Sequence, residues 1–337
     1  IGAGREVYDT AREMLRQHDV IPPENVIMAS THTHSSVRAT GANRLINDGA
    51  LSEYQQFLAR RIADGVRRAV NNLQPANIGW GRASEPTQVF NRRYFMKPGT
   101  PIPNPFGGQD QVVMNPGQAN PNITKAAGPT DPDIIFLIVQ SLDGKTLALL
   151  ANYSLHYVGP AAGAVISADY FGEFCDRIQE LLDADRQDPP FIGILSNGTS
   201  ADINNIDWLN KPERRWKPYE KMRDVADRVA RVVFDAYQHI ELYPWVPLDV
   251  SFADLPLAVR KPTDQQLDFA ESVLNKPEDE KPYHVHERIY AQRVRQLAES
   301  PDSILVPLYA MRIGDVGICT IPFEVFAEIG LHIKASS

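Results

Sequence analysis

The sequence is poor in cysteine, in basic runs and in long apolar stretches. Only Cys175 and Cys319 occur among its 337 residues. Two cysteines cannot build a disulfide framework or a four-cysteine zinc site. Both stand in apolar surroundings, Cys175 on an expected helix and Cys319 in an expected strand, and both read as small packed side chains without a disulfide between them. No stretch reaches the roughly 18 apolar residues that span a bilayer, so no transmembrane segment is expected. Lys and Arg number 34 against 42 Asp and Glu, a formal net charge of −8. With no basic run to offset that charge, nucleic acid is not an expected partner. Internal repeats are missing too. The chain opens on Ile1, close to a helix, and an upstream segment with any export signal is expected to lie outside it.

Apolar residues make up 43% and charged residues 23% of the chain, the composition of a globular protein with a sizeable core. Val7, Ala11, Met14 and Leu15 recur at helical spacing, which predicts an amphipathic helix over Arg5 to Gln17. Val26 to Ala29 reads as a short buried strand that delivers the chain into Thr31-His32-Thr33-His34. Ser52 and Gln55 form a capping box. The helix behind it is expected to bury Tyr54, Leu58, Ile62, Val66, Ala69 and Leu73. Residues 97–132 are rich in proline and glycine and read as a long irregular excursion, either a cover for a site or a structural wrap over the surface.

Ile134–Leu142 and Lys145–Tyr153 flank Asp143-Gly144, a hairpin signal. A helix near Tyr170–Asp183, a strand over Phe191–Leu195 and a helix over Tyr219–Tyr237 follow. Helices near 264–274 and 283–298 come next, then a second hairpin turning at Gly314-Asp315, then a last helix behind Glu324. Strands and helices alternate, but the hairpins exclude an all-parallel sheet. The expected class is α/β, a mixed β-sheet core with hairpins flanked by helices.

His32-x-His34 is the strongest chemical signal. In an extended chain, residues two apart point the same way, so both imidazoles face one cleft. A pair of hydrogen-bonded histidines at a sheet edge is the plainer alternative. His156 lies just past a second apolar strand and Glu324 just past a third. Alone, the first reads as a core histidine and the second as a helix-start charge. Their shared placement at strand exits, where sites in α/β proteins are assembled, makes them a candidate set. Two histidines and a carboxylate form an open catalytic zinc set that activates water. His284 and His286, two apart at a helix start, do not share a face. His18, His239 and His332 read as surface or helix-end residues. In Asn91-Arg92-Arg93, an arginine is either an anion clamp aimed into a cleft or a solvated surface residue. The segment Ser196-Asn197-Gly198-Thr199-Ser200-Ala201-Asp202 is small and polar, either a ligand-approaching loop or a plain Asx turn.

Taken in order, these segments resemble the neutral (non-lysosomal) ceramidase family over nearly the whole chain. Thr31-His32-Thr33-His34 looks like that family's T-H-T-H, and Asn91-Arg92 is similar to its N-R-S element. Asn152 to His156 resembles its N-x-x-x-H, and Ile166-Ser167-Ala168-Asp169 its I-S-x-D. Asn197 to Asn205 is similar to its G-D-V-S-P-N loop, and Pro322-Phe323-Glu324 resembles its P-x-E.

The resemblance implies one zinc hydrolase catalytic domain over residues 1–337, without the immunoglobulin-like C-terminal domain of some members. It implies a Zn2+ ion held by His32, His156 and Glu324, with His34 and Arg92 catalytic. Asn197, Gly198, Asp202 and Asn204 would form a substrate or oxyanion loop. The family's serine is replaced by Asn204, and its tyrosine ligand has no counterpart after Glu324 in this sequence. The implied substrate is a small or lipid-like N-acyl compound, cleaved at an amide or ester bond through a metal-activated water. The resemblance also implies a secreted or periplasmic setting. Two other readings stand beside it. One is an amidohydrolase-type (β/α)8 barrel, which also opens with H-x-H. The other is a non-catalytic binding protein on the same scaffold.

Overall fold

The computed structural model describes residues 2–18, 21–37, 39–40, 50–161, 163, 165–212, 214–277 and 279–337. Its elements run α1 (Arg5–Gln17), α2 (Glu53–Asn71), β1 (Ala76–Ser84), β2 (Phe90–Asn91), β3 (Arg93–Met96), β4 (Val112–Met114), β5 (Ile123–Ala126), β6 (Asp133–Ser141), β7 (Thr146–Tyr153), α3 (Asp169–Leu181), β8 (Ile192–Asn197), β9 (Ile203–Asn204), α4 (Glu220–Tyr237), β10 (Leu242–Tyr243), β11 (Leu248–Ala258), α5 (Asp264–Leu274), α6 (Glu287–Ala298), β12 (Ser303–Ile313), β13 (Val316–Thr320) and α7 (Ala327–Ser336).

The main sheet has the order β10-β1-β6-β7-β8. Every pairing in it is antiparallel except β7 with β8, which run parallel. The class is mixed α/β, as the hairpins predict. An open five-stranded sheet of this kind is not a (β/α)8 barrel, so the barrel reading falls. Gly144 closes the β6–β7 hairpin with φ 88°, a conformation that costs a side-chain-bearing residue but not glycine. Alternate residues of the hairpin, Ile134, Phe136, Ile138, Leu149, Ala151 and Tyr153, face α3 and α4. They close a core with Phe171, Phe174, Ile178, Met222, Val225 and Val229. Burying such side chains contributes roughly 1.5–3 kcal/mol each against the entropy of ordering them.

A second sheet has the order β11-β12-β13. Its hairpin turns at Gly314, with φ 60°, and a Cβ there would meet the Trp80 ring at 2.6 Å. That turn is thus pressed against β1 of the main sheet. Cys319 on β13 and Cys175 on α3 are both free, as expected, although Cys319 is exposed rather than buried.

Three expectations need correction. Among the described residues Val26 to Ala29 pairs with no strand; Val26, Ile27 and Met28 are half-buried and Ala29 is exposed. Met28 packs instead against Val7, Ala11 and Ala59 of α1 and α2, so side-chain burial replaces the ladder. The capping box of α2 forms, but its buried residues are Ala59 and Ala63, while Tyr54 and Leu73 are exposed. The inward stripe is turned toward small residues because α1 lies close. Residues 97–132 are not wholly irregular: β4 and β5 flank β3 in a small sheet.

Candidate metal centre

The parallel pair β7 and β8 ends at one edge of the main sheet, and the site is built there. His156 lies three residues past β7 and is 2% exposed. The loop after β8 returns as β9, whose Ile203 pairs with Asn91 of β2. That two-residue ladder sets Arg92 beside the loop, with its backbone N–H donating to the Asp202 carbonyl at 2.7 Å. Asp169, at the start of α3, accepts from the N–H groups of Val158 and Gly159 at 2.8 and 2.9 Å and fixes the chain behind His156. Ser167 clamps the other histidines. Its carbonyl accepts from Thr33 Oγ1 at 2.9 Å, and its N–H donates to the Ser35 carbonyl at 2.8 Å.

His32 does not stand in extended chain. Its φ is 66°, in the left-handed region that a β-carbon disfavours. Strain of this kind persists where surrounding contacts enforce it, and it collects at functional sites. The shared direction of His32 and His34 therefore comes from a kink at His32, not from strand alternation.

Three imidazoles meet at this edge. The ring centroids of His32 and His156 are 4.6 Å apart; those of His34 lie 5.0 and 5.2 Å from them. One ligand atom from each ring falls within 4.8 Å of the others. Glu324 Oε1 is 3.9 Å from His32 Nε2. His34 is exposed and stacks on Tyr157 at 3.9 Å. His284 and His286 lie away from this group, at the start of α6.

The electrostatics keep two of these rings, His34 and His156, neutral. Burial, then the nearby Arg92 and His32, pushes His156 down to about 3. Burial, then the His32 ring, pushes His34 down to about 4. His156 Nδ1 lies 3.1 Å from the Ser200 carbonyl, an acceptor only, so Nδ1 carries the proton and Nε2 keeps its lone pair. A carbonyl behind a histidine is the arrangement that orients metal-ligating imidazoles. Tetrahedral zinc with bonds of about 2.0–2.1 Å holds its ligand atoms roughly 3.3 Å apart. Three imidazoles with ligand atoms within 4.8 Å of one another, and a carboxylate 3.9 Å from His32, are within side-chain rotation of that spacing. The donor set fits a divalent cation.

Arg92 is pinned at the same edge. Its Nε donates to the Ala201 carbonyl at 2.9 Å, and Nη2 donates to the same oxygen. Burial lowers its pKa from the ordinary value, opposed by Glu324, Tyr157 and Asp202.

The loop residues singled out in the sequence are engaged internally. Asn197 Oδ1 accepts from Ser200 Oγ at 2.8 Å, and the Gly198 N–H donates to the Tyr153 carbonyl at 2.9 Å. Asp202 is 2% exposed and accepts from Asn91 Nδ2 and the Ala327 N–H, each at 2.9 Å. Asn204 pairs with Phe90 in the β2–β9 ladder. The Gly198 N–H is thus already used and does not point an oxyanion donor at a cleft. Sequence reasoning missed the Ser200 and Ala201 carbonyls, because a backbone acceptor leaves no mark on residue identity. It missed the Tyr157 stack as well.

No family model matches the sequence, and no curated protein matches it. Solved structures do. A neutral ceramidase from Pseudomonas aeruginosa superposes with a TM-score of 0.58 at 16% identity, covering 99% of this chain and 55% of that one. The chain has the neutral ceramidase fold. A structure of ceramidase complexed with C2 gives a TM-score of 0.59 at 15% identity, covering 99% of this chain and 56% of that one. The chain therefore spans about half the length of the ceramidase chains it matches.

Proposed function

We propose that this chain carries the centre of a zinc-dependent hydrolase that cleaves an N-acyl amide or ester bond. The meeting of His32, His34 and His156, with Glu324 beside His32, carries the proposal. His32 and His156 are the closest ring pair, and Glu324 faces His32 Nε2. These three would hold the ion. Zn2+ bound there would polarise a substrate carbonyl and acidify water.

His34 is the imidazole nearest solvent, farther from the other two rings and braced by Tyr157. Kept neutral near pH 7, a ring nitrogen of His34 accepts the proton released at the attacking oxygen and returns it to the leaving group. Arg92, held at Nε and Nη2 by the Ala201 carbonyl, presents fixed positive charge to the oxyanion that develops. The loop of Asn197, Gly198, Asp202 and Asn204 supports these groups from behind. The neighbours of the fold are ceramidases, which favours a lipid-like acyl chain on the substrate.

The test is turnover on a panel of N-acyl amides and esters, with and without chelator. Hydrolysis that stops on chelation and returns with Zn2+ is expected. Turnover untouched by chelation, or none on any substrate, contradicts the proposal.

A further inference from the structure

The tripeptide Ser200-Ala201-Asp202 touches His156, Arg92 and the segment just past Glu324. The Ser200 carbonyl holds His156. The Ala201 carbonyl holds the Arg92 side chain, and the Asp202 carbonyl holds the Arg92 backbone. The Ala201 N–H donates to the Val325 carbonyl at 3.0 Å, one residue past Glu324. Asp202 then adds two bonds through its side chain. Oδ2 accepts from Asn91 Nδ2, next to Arg92, and Oδ1 accepts from the N–H of Ala327, which opens α7. A Cβ on Gly128 would meet Asn91 Nδ2 at 2.9 Å and Asp202 Oδ2 at 3.0 Å, so the 97–132 excursion closes tightly over this bond.

Glu324 lies just ahead of α7, with 55% of its side chain exposed. Its place is therefore set by how the start of α7 is held. The Arg92 segment is set by the β2–β9 ladder and by the Ala201 and Asp202 carbonyls. Asp202 joins the two through hydrogen bonds, alongside the Arg93 guanidinium stacked over the Phe326 ring.

We propose that Asp202 is a positioning residue that couples the Arg92 and Glu324 segments, setting metal affinity without touching metal or substrate. This rests on the metal-site reading above. Both its side-chain oxygens accept from protein donors and the residue is buried, which turns the carboxylate toward the protein. Removing it leaves the Ala327 N–H without its partner, leaves Asn91 Nδ2 with the Pro129 carbonyl, and frees the start of α7 to shift. Outer partners of metal ligands typically set affinity by about 10–100-fold.

The test is Co2+ titration of metal-free protein, followed by the visible spectrum of the bound ion, together with thermal unfolding of the same metal-free samples. Asp202→Ala is expected to weaken Co2+ binding by about 10-fold or more. Asp202→Asn keeps one acceptor oxygen for the Ala327 N–H and is expected to fall between it and wild type; should Asp202→Ala not fold, this variant alone decides. Ser52→Ala removes the remote cap of α2 and serves as the stability control, lowering Tm while leaving Co2+ affinity unchanged. Co2+ affinity in both Asp202 variants equal to wild type would overturn the inference, as would an equal loss in Ser52→Ala. Wild-type protein that binds no Co2+ would instead overturn the metal site itself.

Discussion

His156 and Ser200, 44 residues apart, are joined by a 3.1 Å contact between Nδ1 and a backbone carbonyl. That contact decides the tautomer, and with it which ring nitrogen can serve as a ligand. It also places the site at the parallel β7–β8 edge, the place in the main sheet where two neighbouring strands end together.

The neutral histidines make stability depend on pH. In the folded, metal-free protein His156 stays neutral down to about 3 and His34 down to about 4, chiefly through burial. In the unfolded chain both titrate near about 6.5. Between those values the unfolded chain binds more protons. Stability is therefore full above about pH 6.5 and falls as pH drops through the window toward 4 and then 3. For buried His156 the slope approaches about 1.4 kcal/mol per pH unit; His34, nearer solvent, contributes less. Thermal unfolding of metal-free protein between pH 8 and 5 should show the decline, and His156→Gln should flatten it. An unchanged slope in that variant would assign the dependence elsewhere.

Arg92 is expected to act through its fixed geometry, not through charge alone. Lysine has no planar fork for the Ala201 carbonyl. Arg92→Lys should lower kcat/KM by about 100-fold, in the range of a lost oxyanion donor. Metal content should stay at the wild-type level. Steady-state kinetics paired with metal analysis checks both, and wild-type kinetics in the variant would remove Arg92 from the mechanism.

At the far end of α7, Lys334 Nζ lies 2.6 Å from Asp131 Oδ2, and Asp131 is fully buried. Lys334→Met would leave that carboxyl with Ser154 Oγ and the Asp133 N–H as partners. The expected loss is about 2–3 kcal/mol, the low side for breaking a buried pair because the lysine is partly open to water. Urea unfolding measures it. A change under about 0.5 kcal/mol would show that α7 does not depend on the tie.

Much of the frame was legible where local chemistry acts alone. Asp143-Gly144 and Gly314-Asp315 announce their hairpins, Ser52 and Gln55 their cap, and Met222, Val225 and Val229 the inward face of α4. The segment before His32 misled, because Val26 to Met28 is apolar enough for a strand yet no neighbour offers a ladder; α1 and α2 cover it instead. Strand β11 alternates apolar residues at Leu248, Val250 and Phe252, yet most of its residues are exposed. His32, His34, His156 and Glu324 were each visible as chemistry-bearing residues. What stayed hidden was how they are held. The left-handed kink at His32 and the Ser200 and Ala201 carbonyls are backbone features, set by tertiary contacts.

The most direct measurement is the metal content of purified protein after dialysis, by elemental analysis, for wild type, His32→Ala and His156→Ala. One equivalent of zinc in wild type, lost from both folded variants together with hydrolase activity, is the predicted result. Active wild-type protein without a bound divalent ion would contradict it.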